Sequence, residues 1–322
     1  MLSLSRLRTI AAGIALSCLA SACGSASTPA AGQGAGPKGP PRVALVMKSL
    51  ANEFFVTMAD GAKAHQAASG GAYTLIVNGI RNESDLSQQV ALVEQMMAQG
   101  VDALVIAPAD SRALVPVLAK AQRQKIVVVN IDNKLDEATL QQAGIDVPFV
   151  GPDNRAGARA VGLALAPKLA RGSKVAILEG IPTAFNAQQR RLGFEDAMRE
   201  AGMPVVSVQS AHWEQDEANT IASALLREHP GLAAILASND NMALGAAAAV
   251  RQAGRVGTVA VVGFDNIAAV QQLLKEGRIA ATADQHGDKL AVYGIEYALT
   301  ILKGGTTPQD RQTPVDVIAA PK

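Results

Sequence analysis

Cysteine is nearly absent from this chain of 322 residues: the only two, Cys18 and Cys23, fall at its beginning. Disulfides, cysteine-ligated zinc and a cysteine nucleophile are thereby excluded from everything after them. Histidine is scarce too. His65, His212, His229 and His286 stand far apart with no His-x-x-x-His pair, so no metal site is expected, nor any cofactor. An excess of one charge is also missing. Lys plus Arg is 29 against 28 for Asp plus Glu, without a basic stripe or an acidic tail, which excludes nucleic acid as a partner. There is no glycine-rich phosphate loop ending in Lys. Aromatic residues are only 3% of the chain, so each is worth following individually.

What is present is apolar. Hydrophobic residues make up 49% and charged residues 18%, the balance of a packed globular protein and not of a disordered one. The length suits about two domains.

The N-terminus reads as an address. Arg6 and Arg8 precede an apolar run from Thr9 to Ala22, of signal-peptide length and too short to span a bilayer comfortably. Residues 1–22 are therefore expected to be a signal peptide. Ala20-Ser21-Ala22-Cys23 resembles the lipobox of bacterial lipoproteins, with Ala20 where Leu is usual. That resemblance implies lipidation of Cys23 and a protein held in the periplasm or on the outer face of the cytoplasmic membrane. Residues 23–41 are rich in Gly, Ala, Ser and Pro and read as a flexible tether. The G-x-G-x-x-G of residues 34–39 lies in this tether, before a strand and interrupted by Pro37, so it is not read as a dinucleotide site.

From Arg42 onward, short β-branched runs alternate with helical patterns. The runs Arg42–Met47, Tyr73–Val77, Ala103–Ile106, Ile126–Ile131, Lys174–Leu178, Val205–Val208, Ala233–Ala237, Val259–Phe264 and Ile279–Ala283 read as buried parallel strands. Leu86, Val90, Val93 and Met97 form a helical apolar stripe, and the segments from Ala156, Gln188, Ala218 and Asn241 behave similarly. Such alternation implies right-handed βαβ crossovers and an α/β fold. Two doubly wound parallel-sheet lobes fit the length better than one large sheet.

Ligands of open parallel sheets bind beyond the strands' carboxyl ends. Standing there are Asn52, Phe54 and Phe55; Asp132 and Asn133; Asn186 and Arg190; Trp213; Asn239 and Asp240; Phe264 and Asp265; and Gln285. Asp240 reads as a helix N-cap. The others place amides, carboxylates, one guanidinium and four of the chain's few aromatic side chains at one edge. Asp and Asn can grip adjacent hydroxyls with paired hydrogen bonds, and flat rings can cover a sugar's apolar face. The mixture suits a neutral polyhydroxy ligand better than a phosphate or an amino acid.

In this setting Asn52-Glu-Phe54-Phe55, Asn130-Ile-Asp132-Asn133, Arg190-Arg-Leu-Gly193-Phe194, Ser238-Asn239-Asp240-Asn-Met242-Ala-Leu244-Gly245 and Val262-Gly263-Phe264-Asp265 resemble, in order and spacing, the type I periplasmic binding proteins of sugar ABC transporters, most closely the ribose-binding branch. The resemblance runs from about Arg42 to Ala319. It implies two lobes joined by a three-segment hinge near Pro148–Asp153, Asp284–His286 and Gln312–Pro314, with one lobe formed by 42–148 plus 286–312 and the other by 149–285 plus 313–322. It implies that Asn52, Asp132, Arg190, Asn239, Asp265 and Gln285 hydrogen-bond the sugar while Phe54, Phe55 and Trp213 sandwich its ring. It further implies a monomeric, non-catalytic solute receptor that passes a monosaccharide or sugar alcohol to an ABC permease. Asn133 stands where the ribose-binding branch has Arg, and the segment after it is longer. Both differences leave open whether the ligand is another pentose, a hexose or a polyol. A sensory receptor of the same fold, and a glycoside-acting enzyme using Asp132 and Asp265, are the alternatives.

Overall fold

The computed structural model describes residues 39–305 and 309–320. The expected signal peptide, most of the tether and Cys23 lie outside them.

The first half of the chain winds β1 (Arg42–Ser49), α1 (Glu53–Ala68), β2 (Thr74–Ile80), α2 (Leu86–Ala98), β3 (Ala103–Ile106), α3 (Val115–Arg123), β4 (Val127–Ile131), α4 (Glu137–Ala143) and β5 (Phe149–Pro152). The second adds α5 (Asn154–Leu165), β6 (Lys174–Glu179), α6 (Phe185–Glu200), β7 (Val205–Ser210), α7 (Gln215–Glu228), β8 (Leu232–Ala237), α8 (Asp240–Gln252), β9 (Ala260–Val262), α9 (Ala268–Lys275) and β10 (Ala281–Asp284). The chain then returns through α10 (Gly287–Leu302) and β11 (Arg311–Thr313), and ends the described residues in β12 (Asp316–Ala319).

Two six-stranded sheets result, in the orders β11-β5-β4-β3-β1-β2 and β12-β10-β9-β8-β6-β7. All pairings are parallel except β10 with β12. Central strands bury both faces. On β1, Val43, Leu45 and Met47 point into one apolar cluster while Ala44 and Val46 point into another. On β6, Val175 and Ile177 alternate in the same way with Ala176 and Leu178. Continuous apolar strands are what helices on both sides of a sheet require.

The two-lobe expectation holds, with three added strands and a shifted boundary. The sequence pattern marks no strand at β5, β11 or β12. β5 is four residues ending Gly-Pro, and β11 and β12 are polar or exposed edge strands without a buried apolar run. β5 pairs with β4 and β11 with β5, so the chain leaves the N-terminal sheet after Pro152, which lies inside the expected crossover Pro148–Asp153 and beyond the expected lobe limit at residue 148. It crosses again at Gln285–His286 and at Pro314–Val315, between strands of different sheets. The run Val259–Phe264 yields only the short β9, because the chain turns after Val262.

Glycines let helix pairs approach. A Cβ on Gly61 would collide with the Asp288 carbonyl where α1 packs on α10, one on Gly193 with the Arg155 carbonyl between α5 and α6, and one on Gly245 with the Gln215 carbonyl between α7 and α8. Gly245→Ala gains helix propensity of about 1 kcal/mol, but its new methyl meets backbone that cannot rotate away. A net loss of roughly 1–2 kcal/mol is expected, read as a lower urea midpoint; an unchanged or higher midpoint would contradict this packing.

Candidate functional site

The carboxyl ends of the strands in both sheets converge on one cleft. Every residue singled out from the sequence as a ligand candidate lines it, except Asn133 and Phe264. Two further lining residues, Lys48 and Glu83, were missed. Lys48 reads as the tail of an apolar strand, and Glu83 as an ordinary loop charge. Both obey the strand-end rule that found the others: Lys48 lies at the end of β1, and Glu83 just after β2.

The cleft's charges are buried. Lys48, Glu83, Asp132, Arg190 and Asp265 are each less than a tenth exposed, a placement that is expensive unless every charge finds partners. Lys48 Nζ lies 3.2 Å from Asp132 Oδ2 and within 6 Å of the centres of the Phe55 and Trp213 rings. Arg190 is held from several directions. Its Nε donates to Asn154 Oδ1 at 2.8 Å, and its two terminal nitrogens to the Ser238 carbonyl at 2.9 Å and Gln285 Oε1 at 3.4 Å. Its guanidinium stands 3.8 Å above the centre of the Phe264 ring and 3.5 Å from Asp265 Oδ1. Gln285 Nε2 in turn donates to Asp265 Oδ1 at 2.6 Å. Phe264 is thus a fully buried platform under Arg190 and not part of the cleft wall.

Asn52 and Asn239 do double duty. Each is an N-cap, of α1 and α8, with Oδ1 accepting a backbone N–H. Asn52 Nδ2 donates to Glu83 Oε1 at 3.2 Å, and Asn239 Nδ2 to the Trp213 carbonyl at 3.3 Å. Asn239 therefore takes the cap role expected of Asp240. Asp240 is the first residue of α8, fully buried, and accepts from Thr282 Oγ1 at 2.7 Å and Ile267 N at 3.0 Å. Backbone N–H groups of Phe264 and Asn266 also bond to it. It clamps the turn that presents Asp265, where Asp265 and Asn266 have φ of 130° and 57°. Asp132 and Trp213 also lie at positive φ, 64° and 72°. Backbone this costly for non-glycine residues persists only where surrounding contacts dictate it, and it clusters at functional sites. Trp213 is only 3% exposed, its ring filling the space a side chain on Gly180 would take.

Three polar atoms on residues lining this cleft are buried without a protein partner, Glu83 Oε2, Asn186 Oδ1 and Trp213 Nε1, while Asp132 Oδ2 has only its ion pair with Lys48. Each such orphan costs about 1–3 kcal/mol. These atoms, two acceptors and one donor, belong to residues that line the same cleft. Burial pushes the Glu83 carboxyl up to about 7 despite Lys48 and the Asn52 amide. It also pushes Asp265 well above the usual carboxylate range, against the pull of Arg190. No group of His, Cys, Asp and Glu suited to a metal ion occurs among the described residues.

Asn133 lies behind the cleft, fully buried. Its Nδ2 donates to the Pro108 carbonyl at 2.9 Å, and its Oδ1 accepts from Asn186 N at 3.1 Å. Because asparagine lacks a long side chain, it reaches a neighbouring backbone and not the cleft.

The raised Glu83 carboxyl makes a pH prediction. Between about 4.5 and 7 the native protein holds a proton that the unfolded chain has released, so this group's contribution to stability falls as pH rises through that window. The urea midpoint of the ligand-free Glu83→Gln variant should therefore decline less from pH 5 to pH 7.5 than that of the wild type. Parallel pH profiles would refute the assignment.

Residues 43–306 match the model of the periplasmic binding protein domain. The chain is 58% identical over 285 residues to the D-ribose/D-allose-binding protein of Pseudomonas aeruginosa, covering 87% of this chain and 89% of that one. Its fold is similar to that of an ABC transporter solute-binding protein from Burkholderia multivorans holding an unknown ligand interpreted as alpha-D-erythrofuranose (TM-score 0.85, 55% identity, 88% of this chain and 100% of that one). It is also similar to a periplasmic solute-binding protein of an ABC transporter from Actinobacillus succinogenes with bound D-allose (TM-score 0.82, 35% identity, 87% and 98%). With two sheets facing one polar cleft and matches of this extent, the chain belongs to the periplasmic binding protein family and is a solute-binding protein, not an enzyme.

Proposed function

We propose that this extracytoplasmic, sugar-binding partner of an ABC transporter captures an aldose of the ribose or allose type between its lobes. The observation that carries this reading is the orphan set in the cleft. Glu83 Oε2 and Asn186 Oδ1 each need a donor, Trp213 Nε1 needs an acceptor, and Asp132 Oδ2 can accept a bond beside its ion pair with Lys48. A hydroxyl group is both donor and acceptor, and a ring bearing several hydroxyls can serve all of these positions at once. Phe54, Phe55 and Trp213 supply apolar walls for its C–H faces. The Pseudomonas relative and the allose-bound Actinobacillus structure support this choice of sugar. Asp265, Arg190 and Gln285 form a linked cluster whose proposed role is to grip adjacent hydroxyls, as is that of Asn52 and Asn239 at the opposite walls. Lobe closure about the three crossovers follows the behaviour of binding proteins. We further propose that Cys23 carries a lipid anchor, on the strength of the small residues before it and the tether after it.

Titration calorimetry with D-allose, D-ribose and myo-inositol tests the ligand class. At 100 times its Kd a true ligand should stabilise the protein by about 2.7 kcal/mol, and a panel in which no sugar binds would overturn the proposal. Asp265→Ala removes charge-assisted bonds worth roughly 1.5–3 kcal/mol each and should weaken binding on the order of 100-fold. Intact affinity with lowered stability would reduce Asp265 to a structural role. Cys23→Ser should move the protein from the membrane to the soluble fraction; retention on membranes would refute the anchor.

A further inference from the structure

The start of α6 and the start of α9 lack a cap of their own. Their N-cap residues are Ala184 and Ile267, neither with a side-chain hydrogen bond to offer. α3, α7 and α10 lack one too, while α1, α2, α4, α5 and α8 are each capped by the Asn or Asp that precedes them. The first N–H groups of a helix have no intrahelical partner and must find one elsewhere. Here they find it on the opposite lobe. Phe185 N, the first of α6, donates to Ser111 Oγ at 2.9 Å, and Asn186 N to Asn133 Oδ1 at 3.1 Å. Ala268 N and Ala269 N, the first of α9, donate to the two carboxylate oxygens of Glu53 at 2.8 and 3.5 Å. Ser111 and Asn133 follow β3 and β4, and Glu53 opens α1, so all three acceptors belong to the N-terminal lobe and all four donors to the C-terminal one.

We propose that Glu53, Ser111 and Asn133 are positioning residues for sugar capture: they supply across the cleft the helix caps that α6 and α9 lack, and so latch the closed state. The proposal rests on the sugar-binding reading above. α6 carries Asn186 and Arg190, and α9 follows the turn that presents Asp265. Seating both helix starts against the N-terminal lobe therefore sets the distance between the two halves of the sugar site. When the lobes part, the same N–H groups turn to water. An anionic acceptor at a helix start also gains from the helix dipole, which favours Glu53 at α9. The arrangement gives Asn133 a task although it lies off the cleft wall.

The latch acts only on the closed complex, which separates it from a general stabilising role. Chain positions after Cys23 include a single tryptophan, Trp213, inside the cleft, so stopped-flow tryptophan fluorescence with D-allose reads association and dissociation directly. Glu53→Ala and Ser111→Ala should each speed dissociation about five- to twentyfold, the range expected for a lost cap. The association rate and the melting temperature of the ligand-free protein should stay at wild-type values. Glu53→Gln, which keeps an acceptor oxygen, should recover much of the loss. Unchanged dissociation in the variants of a wild type that responds to D-allose would overturn the latch alone. So would a matching drop in ligand-free melting temperature, which would make these residues structural. A wild type silent to D-allose would overturn the sugar reading and the closure claim with it.

Discussion

The buried guanidinium of Arg190 is the constraint around which the cleft is organised. It reaches from α6 to the Asn154 side chain on α5, to the Ser238 carbonyl at the end of β8, and to Gln285 at the second crossover, with Asp265 beside it and Phe264 beneath it. Each contact ties a different segment of the C-terminal lobe to one charge. A charge this deep cannot be left with partial satisfaction, because removing one partner of a buried pair typically costs 3–5 kcal/mol. The segments around it therefore have little freedom. Gly263 has no room for a Cβ beside Asp240, and Gly157 none to spare beside Phe264, so the floor under Arg190 is fixed from below as well.

The N-terminal lobe answers with its own buried pair, Lys48 and Asp132, and with a carboxyl at Glu83 that burial keeps close to protonation near neutral pH. The protein thus holds opposed charges on two separate bodies and leaves several of their hydrogen-bonding positions open toward the space between them. A rigid, half-satisfied polar surface on each lobe is a poor structure alone and a good one around a ligand with many hydroxyls. The desolvation invested in placing those groups becomes affinity when a ligand's hydroxyls pair with them, since the ligand needs to organise little.

Much of this was legible in the sequence. The strand–helix alternation predicted two α/β lobes because buried parallel strands are written as unbroken apolar runs, as in Val43–Met47 or Val175–Leu178. The strand-end rule found most of the cleft for the same reason: Asp132, Asn239 and Asp265 stand just where such runs end, at the sheets' carboxyl edge. What escaped was what carries no such contrast. β11 and β12 are held by edge pairing and not by burial, so their residues look like loop. Lys48 and Glu83 look like solvent-facing charges because burial depends on what folds over them from far along the chain. Asp240 reads as a cap from its local setting, yet Asn239 one residue earlier does that work and frees Asp240 to bind the turn before α9. Asn133 and Phe264 were placed in the wall by proximity to it, whereas side-chain reach and direction set one against Asn186 N and the other under Arg190.

A bound sugar completes the hydrogen bonding of the buried cleft, and a high-resolution crystal structure of the protein with D-allose is the sharpest check. Sugar oxygens should lie within about 3.2 Å of Glu83 Oε2, Asp132 Oδ2, Asn186 Oδ1 and Trp213 Nε1, with the ring between the aromatic walls. A sugar bound outside the cleft, or one whose oxygens reach none of those atoms, would refute this.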